Sequence, residues 1–268
     1  MKQYNQFTGQ DLTFVVCAYK ECEYLDESVS SLVNQTVKGN ILISTSTPNE
    51  HIQSVADKYG VEVRVNSDGG QIKDYNFAMR QAQTDLVMLM HQDEILVNTF
   101  AERVIRELNR TKNPIIAFTN YLEMHNDIVD EKPSTMVKIK RILLLPLCFR
   151  GLRGTWLGKR GIQLLGDPIT HPTVVCVRKE MPKEVFRENY RASMDWDLWE
   201  RLSRQKGGFT YVRDVLLYHR MNDENQTVKL LNTTNARYEE EFEIFCRFWP
   251  KFIARLIMKF YSSAAKYY

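Results

Sequence analysis

The chain has no long apolar run. Its most continuous stretch, residues 142–149, is far shorter than the roughly 20 apolar residues of a membrane-spanning helix, and Pro146 interrupts it. The first ten residues are polar and lack the apolar centre of a secretory signal, so export by that route is not expected. Paired cysteines are missing too. Cys17, Cys22, Cys148, Cys176 and Cys246 are odd in number and scattered, without a Cys-x-x-Cys pair. This argues against a structural zinc site or a disulfide framework and fits a reducing cytoplasm. Strong net charge is absent: +3 over 268 residues gives no support to a polyanion-binding role, and no nucleic-acid partner is expected. Repeats and low-complexity tracts are absent as well.

What is present is an ordinary globular composition, 44% hydrophobic and 26% charged, enough for one large α/β domain with an appended tail. Short apolar runs alternate with helical patterns, the signature of βαβ units and a mainly parallel sheet. Strands are expected at 12–17, 41–45, 61–65, 86–90, 115–119, 173–177 and 209–212. Helices are expected at 24–34, 50–59, 71–83, 99–108 and 196–205, with a Gly207-Gly208 turn before the last strand and a helical tail after it. Between 121 and 170 the regularity is lost.

The apolar strand Leu86-Val87-Met88-Leu89-Met90 runs directly into His91-Gln92-Asp93-Glu94. In open α/β sheets, ligands bind at the carboxyl ends of the strands. Two adjacent carboxylates there suit a hard divalent cation such as Mg²⁺ or Mn²⁺, which can also hold a substrate diphosphate. His91 is a further ligand or a neighbour. The competing reading is that Asp93 and Glu94 cap a following helix.

Several segments together resemble the family two glycosyltransferases of the inverting kind, whose catalytic domain has the GT-A nucleotide-sugar-binding fold. Phe14-Val15-Val16-Cys17-Ala18-Tyr19-Lys20-Glu21 stands where that family has a strand ending in a Pro-Thr-Tyr-Asn-like nucleotide-binding loop, and 24–36 resembles its first helix. Asp74-Tyr75-Asn76-Phe77-Ala78 corresponds to its Asn-containing helix start, and His91-Gln92-Asp93-Glu94 to its Asp-x-Asp metal motif. Met194-Asp195-Trp196-Asp197-Leu198-Trp199 resembles the Glu-Asp-Trp-Asp-Leu-Trp stretch that supplies the catalytic base. The similarity divides the chain into a GT-A catalytic domain, 1–228, and a basic amphipathic helical extension, 229–268.

The resemblance implies transfer of a sugar from a nucleoside-diphosphate sugar to an acceptor hydroxyl, with Asp195 as the base; Asp197 is the runner-up base, but it lies deeper in the helix, where bracing the site is the expected role. It implies Mn²⁺ or Mg²⁺ on Asp93, with His91 and His219 as further ligands. Ala18, Tyr19, Glu21 and Ser44 fall on the donor pocket, Asn76 near the base or ribose, and Arg220 within reach of the diphosphate. The chain also departs from the pattern. Ser44-Thr45-Ser46-Thr47-Pro48-Asn49 replaces an acidic Asp-Asp-Gly-Ser-Thr-Asp, His91 replaces the first acid of Asp-x-Asp, and Asn222 stands where members often carry a His. Without the resemblance, Asp195 reads as a helix N-terminal carboxylate, Trp196 and Trp199 as core or sugar-stacking residues, and His171 and His219 as structural. A nucleotidyltransferase is disfavoured because Cys17-Ala18-Tyr19-Lys20 has no glycine for a phosphate loop. A noncatalytic nucleotide-sugar-binding protein on a transferase fold is the alternative.

Basic residues collect in two places. The charged residues from Lys138 to Arg160 are all basic, and Arg247, Lys251, Arg255 and Lys259 recur every four residues, as one cationic stripe on a helix. Pro250 marks a helix start or kink. Such a helix fits an anionic membrane surface. Together with the family, it implies a protein held peripherally at the inner face of the cell membrane, adding sugars to a glycan or polyprenyl-diphosphate-linked acceptor for surface polysaccharide. The other reading is a helix packed on the domain.

Overall fold

The computed structural model describes residues 3–221 and 236–264, with side chains through Lys259. The expected 228/229 domain boundary and Asn222 lie outside the described residues. The centre is a nine-stranded sheet of order β3-β2-β1-β4-β8-β6-β9-β5, with β7 paired to β6. Its strands are β1 (Leu12–Ala18), β2 (Asn40–Thr45), β3 (Glu62–Val65), β4 (Leu86–His91), β5 (Ile95–Leu96), β6 (Pro114–His125), β7 (Ile128–Val129), β8 (Val174–Val177) and β9 (Gly208–Arg220). β1, β2, β3, β4, β6 and β9 run one way, while β8, β5 and β7 run against their neighbours. The sheet is thus mainly parallel, as expected. β1 and β4 are apolar almost throughout because helices cover both faces of the sheet.

The flanking helices are α1 (Leu25–Val33), α2 (Glu50–Tyr59), α3 (Gln71–Gln81), α4 (Phe100–Asn109), α5 (Thr135–Leu143), α6 (Trp156–Lys159), α7 (Met194–Ser203), α8 (Ala236–Cys246) and α9 (Lys251–Ala264). α2 shows why the early periodicity was legible. Asn49 Oδ1 accepts from Ile52 N at 2.9 Å at one end, and Gly60 closes the other at φ +63°.

The middle segment corrects the sequence reading. β6 continues to His125 and β9 to Arg220, well past the expected 119 and 212. The polar Asn120 sits inside this pairing because Tyr211 Oη donates to its Oδ1 at 2.6 Å and its own Nδ2 donates to Arg213 O. Arg213 and Asp214 are bulged out between the pairs Thr119–Val212 and Asn120–Val215, so a charged dipeptide interrupts the pattern without ending the strand.

The cationic stripe is also corrected. Arg247 turns inward, donating to Asp197 Oδ1 at 2.7 Å and to Glu200 Oε2 at 3.3 Å. The middle basic stretch is largely neutralised within the fold. Arg150 and Arg153 pair with Glu107, Lys159 donates to Gln205 O, and Arg160 pairs with Glu200. Pro250 does start a helix, accepting from Ile253 N and Ala254 N. α8 and α9 are docked, since Ile244, Phe245, Ala254 and Met258 join the apolar cluster that contains Val15 and Ile116 of the sheet. Among the described residues no helix is long and apolar enough to cross a membrane.

Candidate active site

Three loops at the carboxyl edge of the parallel strands are stitched together by side chains. After β1, Tyr19 N donates to Gln92 Oε1 at 2.8 Å and Gln92 Nε2 donates back to Tyr19 O at 3.1 Å, tying that loop to the one after β4. Lys20, at φ +56°, donates its N–H to Thr47 Oγ1 at 2.6 Å and ties in the loop after β2. Tyr19 leaves its ring 46% exposed beside buried Ala18, a flat wall open to the edge, and Glu21 is exposed next to it. Ser44 is buried within β2, opposite Cys17, so the hydroxyl at the edge is that of Ser46. Ser46 Oγ donates to Asp74 Oδ2 at 2.8 Å, and Asn66 Nδ2 donates to Asp74 Oδ1 at 2.7 Å. Asn76 is held elsewhere: its amide donates to Phe186 O at 2.7 Å and accepts from Phe186 N at 3.0 Å. In the structure it clamps the 186 loop to α3.

The acidic cluster forms where β4 ends. Ligand atoms of His91, Asp93 and Glu94 all lie within 4.8 Å of one another. Glu94 is fully buried, with Oε1 2.7 Å from His219 Nδ1 and 3.5 Å from His91 Nδ1. Burial alone would push its pKa up, but His219 and His91 outweigh it and hold the carboxyl at about 2. Burial pulls the His219 pKa down, but Glu94 and then Asp93 together leave it raised. Asp93 goes the other way, raised by burial and then by Glu94. Glu94 Oε2 is buried and has no hydrogen-bond partner among the described residues. An unpartnered carboxylate oxygen beside a second acid and two imidazoles fits a divalent cation.

Two residues around this cluster were not in the expected site. Tyr75 Oη is 3.2 Å from His91 Nε2, and burial raises the Tyr75 pKa. His171 is enclosed by the rings of Phe186, Tyr75, His91 and Trp199 at 5.4, 5.5, 5.7 and 6.3 Å. Burial, then His91, pull its pKa down to about 3, so it is a neutral imidazole. The only signal for it in the sequence was its place just before a strand.

Arg220 differs from its expected role. It is 2% exposed and committed on every side. Its Nη2 donates to Glu27 at 2.6 Å and its Nε to Asp93 O at 3.3 Å, it pairs with Asp127, and its guanidinium lies 3.9 Å from the Tyr24 ring centre. It fixes the backbone of the acidic loop instead of facing a diphosphate.

Asp195 lies in the first turn of α7 and accepts from Trp196 N at 2.8 Å. Burial raises its pKa, and Asp167 is raised well above the ordinary range by burial and by Asp195, so the two form an electrostatically linked carboxylate pair. The turn is held from α8. Glu240 accepts from the backbone N–H groups of Arg191, Ala192 and Ser193 at 2.8, 2.9 and 2.8 Å. Asp197 braces, as expected, accepting from Arg201 at 2.9 Å and from Arg247 at 2.7 Å. Trp196 and Trp199 are core residues, 1% and 0% exposed. Tyr75 is within the electrostatic reach of both Asp93 and Asp195.

Comparison with known proteins adds an independent line. The family model described as "Glycosyl transferase family 2" matches residues 13–186. An uncharacterized glycosyltransferase of Haemophilus influenzae is 23% identical over an alignment of 252 residues that covers 85% of this chain and 73% of that protein. Residues 1–349 of S. aureus TarS in complex with UDP-GlcNAc superpose with a TM-score of 0.62 at 14% identity, covering 92% of this chain and 70% of that one. A longer S. aureus TarS chain gives 0.60 at 15% identity, covering 87% of this chain but 38% of its own length. These likenesses establish the fold as the GT-A type.

Proposed function

The chain belongs to glycosyl transferase family 2, and from that premise we propose that it is an inverting transferase moving a sugar from a nucleoside-diphosphate sugar to an acceptor hydroxyl. The observation that carries the reading is the pair of unlike carboxylate sites within electrostatic reach of Tyr75: Asp93, clustered with Glu94, and Asp195, linked with Asp167. An inverting displacement needs help at two places. The attacking hydroxyl must lose a proton, and the departing diphosphate gains charge on the opposite face of the sugar.

Asp195 is the base in this reading. A carboxylate with a raised pKa is a stronger proton acceptor than an ordinary one. Glu240 keeps its turn in place, and Arg247, through Asp197, keeps α7 against α8. On the donor side, Asp93 and Glu94, with His91 and His219, are the residues that would hold Mn²⁺ or Mg²⁺. Such an ion supplies Lewis-acid stabilisation of the leaving diphosphate. Arg220 anchors the loop carrying those acids, Tyr19 offers a ring against which a nucleobase packs, and Ser46 and Asn66 flank the Asp74 carboxylate beside it. The acceptor is a glycan, in the fuller form one carried on a polyprenyl diphosphate for surface polysaccharide. UDP-GlcNAc bound to TarS makes uridine-diphosphate sugars the first donors to try.

The test is consumption of a panel of nucleotide sugars, with Mn²⁺ or with chelator, by the wild type, Asp93→Ala and Asp195→Asn. The reading stands if one donor is consumed and Asp195→Asn still binds it without turnover. Tight donor binding with no turnover by the wild type across a broad acceptor panel would return the noncatalytic alternative.

A further inference from the structure

The exposed side of α9 is unusual for a packed helix. Ala254 and Met258 turn inward onto the cluster that holds Leu144, Leu147 and Ile162. The outward arc carries Lys251, Phe252, Arg255, Leu256 and Lys259, with Phe252 72% exposed. Spacings of three and four place these on one face, so cations and large apolar groups interleave there.

The segment beneath α9 continues the pattern. Trp249 Nε1 donates to Leu164 O at 2.8 Å, and the Arg160 guanidinium stacks 4.4 Å from the Phe248 ring centre, so the corner between α8 and α9 is fastened to the stretch after α6. That stretch and the one before α6 expose Ile142, Leu145, Phe149, Trp156 and Leu165. Its own arginines are drawn into the fold, so it presents apolar surface while α9 brings the free charge. No Asp or Glu occurs from 132 to 166 or from 244 to 268.

We propose that this joint face of α9 and residues 142–165 docks on an anionic lipid bilayer. A soluble polyanion would use the cations but not the exposed Phe, Trp and Leu side chains. A second protein surface would use the apolar groups but gives no reason for excluding every acid from both segments. An anionic bilayer uses both: headgroups pair with Lys251, Arg255 and Lys259 while Phe252, Leu256 and their neighbours enter the interface. α5 joins this face to the site, because it exposes Ile142 while Lys140 Nζ donates to Thr170 Oγ1 at 3.1 Å, three residues from Asp167. The inference goes beyond the transfer reading, and its test uses neither donor nor acceptor, so either can fail alone.

The full chain is sedimented with vesicles of phosphatidylcholine alone or of equal parts phosphatidylcholine and phosphatidylglycerol, and each variant is checked by a circular-dichroism melt. The wild type is expected to sediment with the mixed vesicles only, and less at raised salt. Replacing Lys251, Arg255 and Lys259 together by Gln should weaken binding about a hundredfold, and Phe149→Ser with Phe252→Ser about tenfold, with melts unchanged. No binding to mixed vesicles, equal binding to both vesicle types, or undiminished binding by either variant would overturn the proposal. So would light scattering showing a dimer that Phe252→Ser dissolves while no vesicle binding is seen.

Discussion

Glu94 and Asp195 are both carboxylates near the end of a regular element, on the same edge of one sheet, yet their surroundings drive them apart. Around Glu94, two imidazoles overcome the desolvation that should favour its neutral form, and the group stays ionised far into acid. Around Asp195, desolvation prevails over the Trp196 N–H, Lys140 and Arg237, which all favour the charged form. Cationic neighbours are common to the two sites, so what decides is whether they outweigh burial: two imidazoles bonded directly to Glu94 do, and the more distant cations near Asp195 do not. One is a permanent anion suited to holding a cation. The other holds its proton less reluctantly and suits proton transfer.

Removing the base should break the comparison most completely. Asp195→Asn keeps the shape and the bond from Trp196 N but cannot take a proton, and turnover should fall about a thousandfold. Donor affinity, followed by calorimetry, should hold; a parallel loss of affinity would mean that Asp195 serves the donor instead. Next in size is Asp93→Ala, expected to lower turnover about a hundredfold, equivalent to losing several kcal/mol of leaving-group stabilisation. Its residual rate should be the same with Mn²⁺ and with chelator. A rate that still responds to metal would move the cation away from Asp93.

How much of this was legible follows from where the stabilising partner lies in sequence. β1 and β4 announce themselves as apolar runs because both faces are covered, and α2 carries its own cap and its own stop. Asp93 and Glu94 were visible for the same reason, as acids directly after such a run, whereas Asp195 stood out only through the family resemblance of residues 194–199. β6 and β9 were cut short because Asn120 is polar, and its partners, Tyr211 and Arg213, are about ninety residues away. Arg220 was visible as a cation but not as a buried one, since Glu27 in α1 and Asp127 in the turn between β6 and β7 reach it from distant parts of the chain. Asp167 and Glu240 gave no signal. Each acts on the Asp195 turn only after the chain has returned to it.

Glu240 offers a way to sharpen the comparison without touching either acidic centre. Three backbone N–H groups converge on its carboxylate, and charge-assisted bonds of this kind contribute about 1.5–3 kcal/mol each. Glu240→Gln retains one acceptor oxygen and should loosen the turn. The expected result is a fall of about tenfold in kcat, since a displaced base forfeits orientation, with the donor KM unchanged. A shift in donor KM alone would place the effect at the wrong site.

The smallest and most specific effect concerns Asp167. Because Asp195 is raised, the acid limb of the rate profile should lie above the ordinary carboxylate range, with activity lost as pH falls through it. Asp167 is raised well above the ordinary range by burial and by the Asp195 charge, so it is the acid of the pair that keeps its proton as Asp195 ionises, and Asp167→Asn should leave that limb in place. Stability carries the matching sign. Folding favours the protonated form of a raised acid, so its contribution is full below the ordinary carboxylate value of 3.8 and is lost as pH rises through the folded value. Asp167→Asn, fixed in the neutral form, should therefore gain melting temperature relative to the wild type at alkaline pH and lose that advantage in acid. If the limb moves to lower pH in Asp167→Asn, it is the Asp167 charge and not burial that holds Asp195 up.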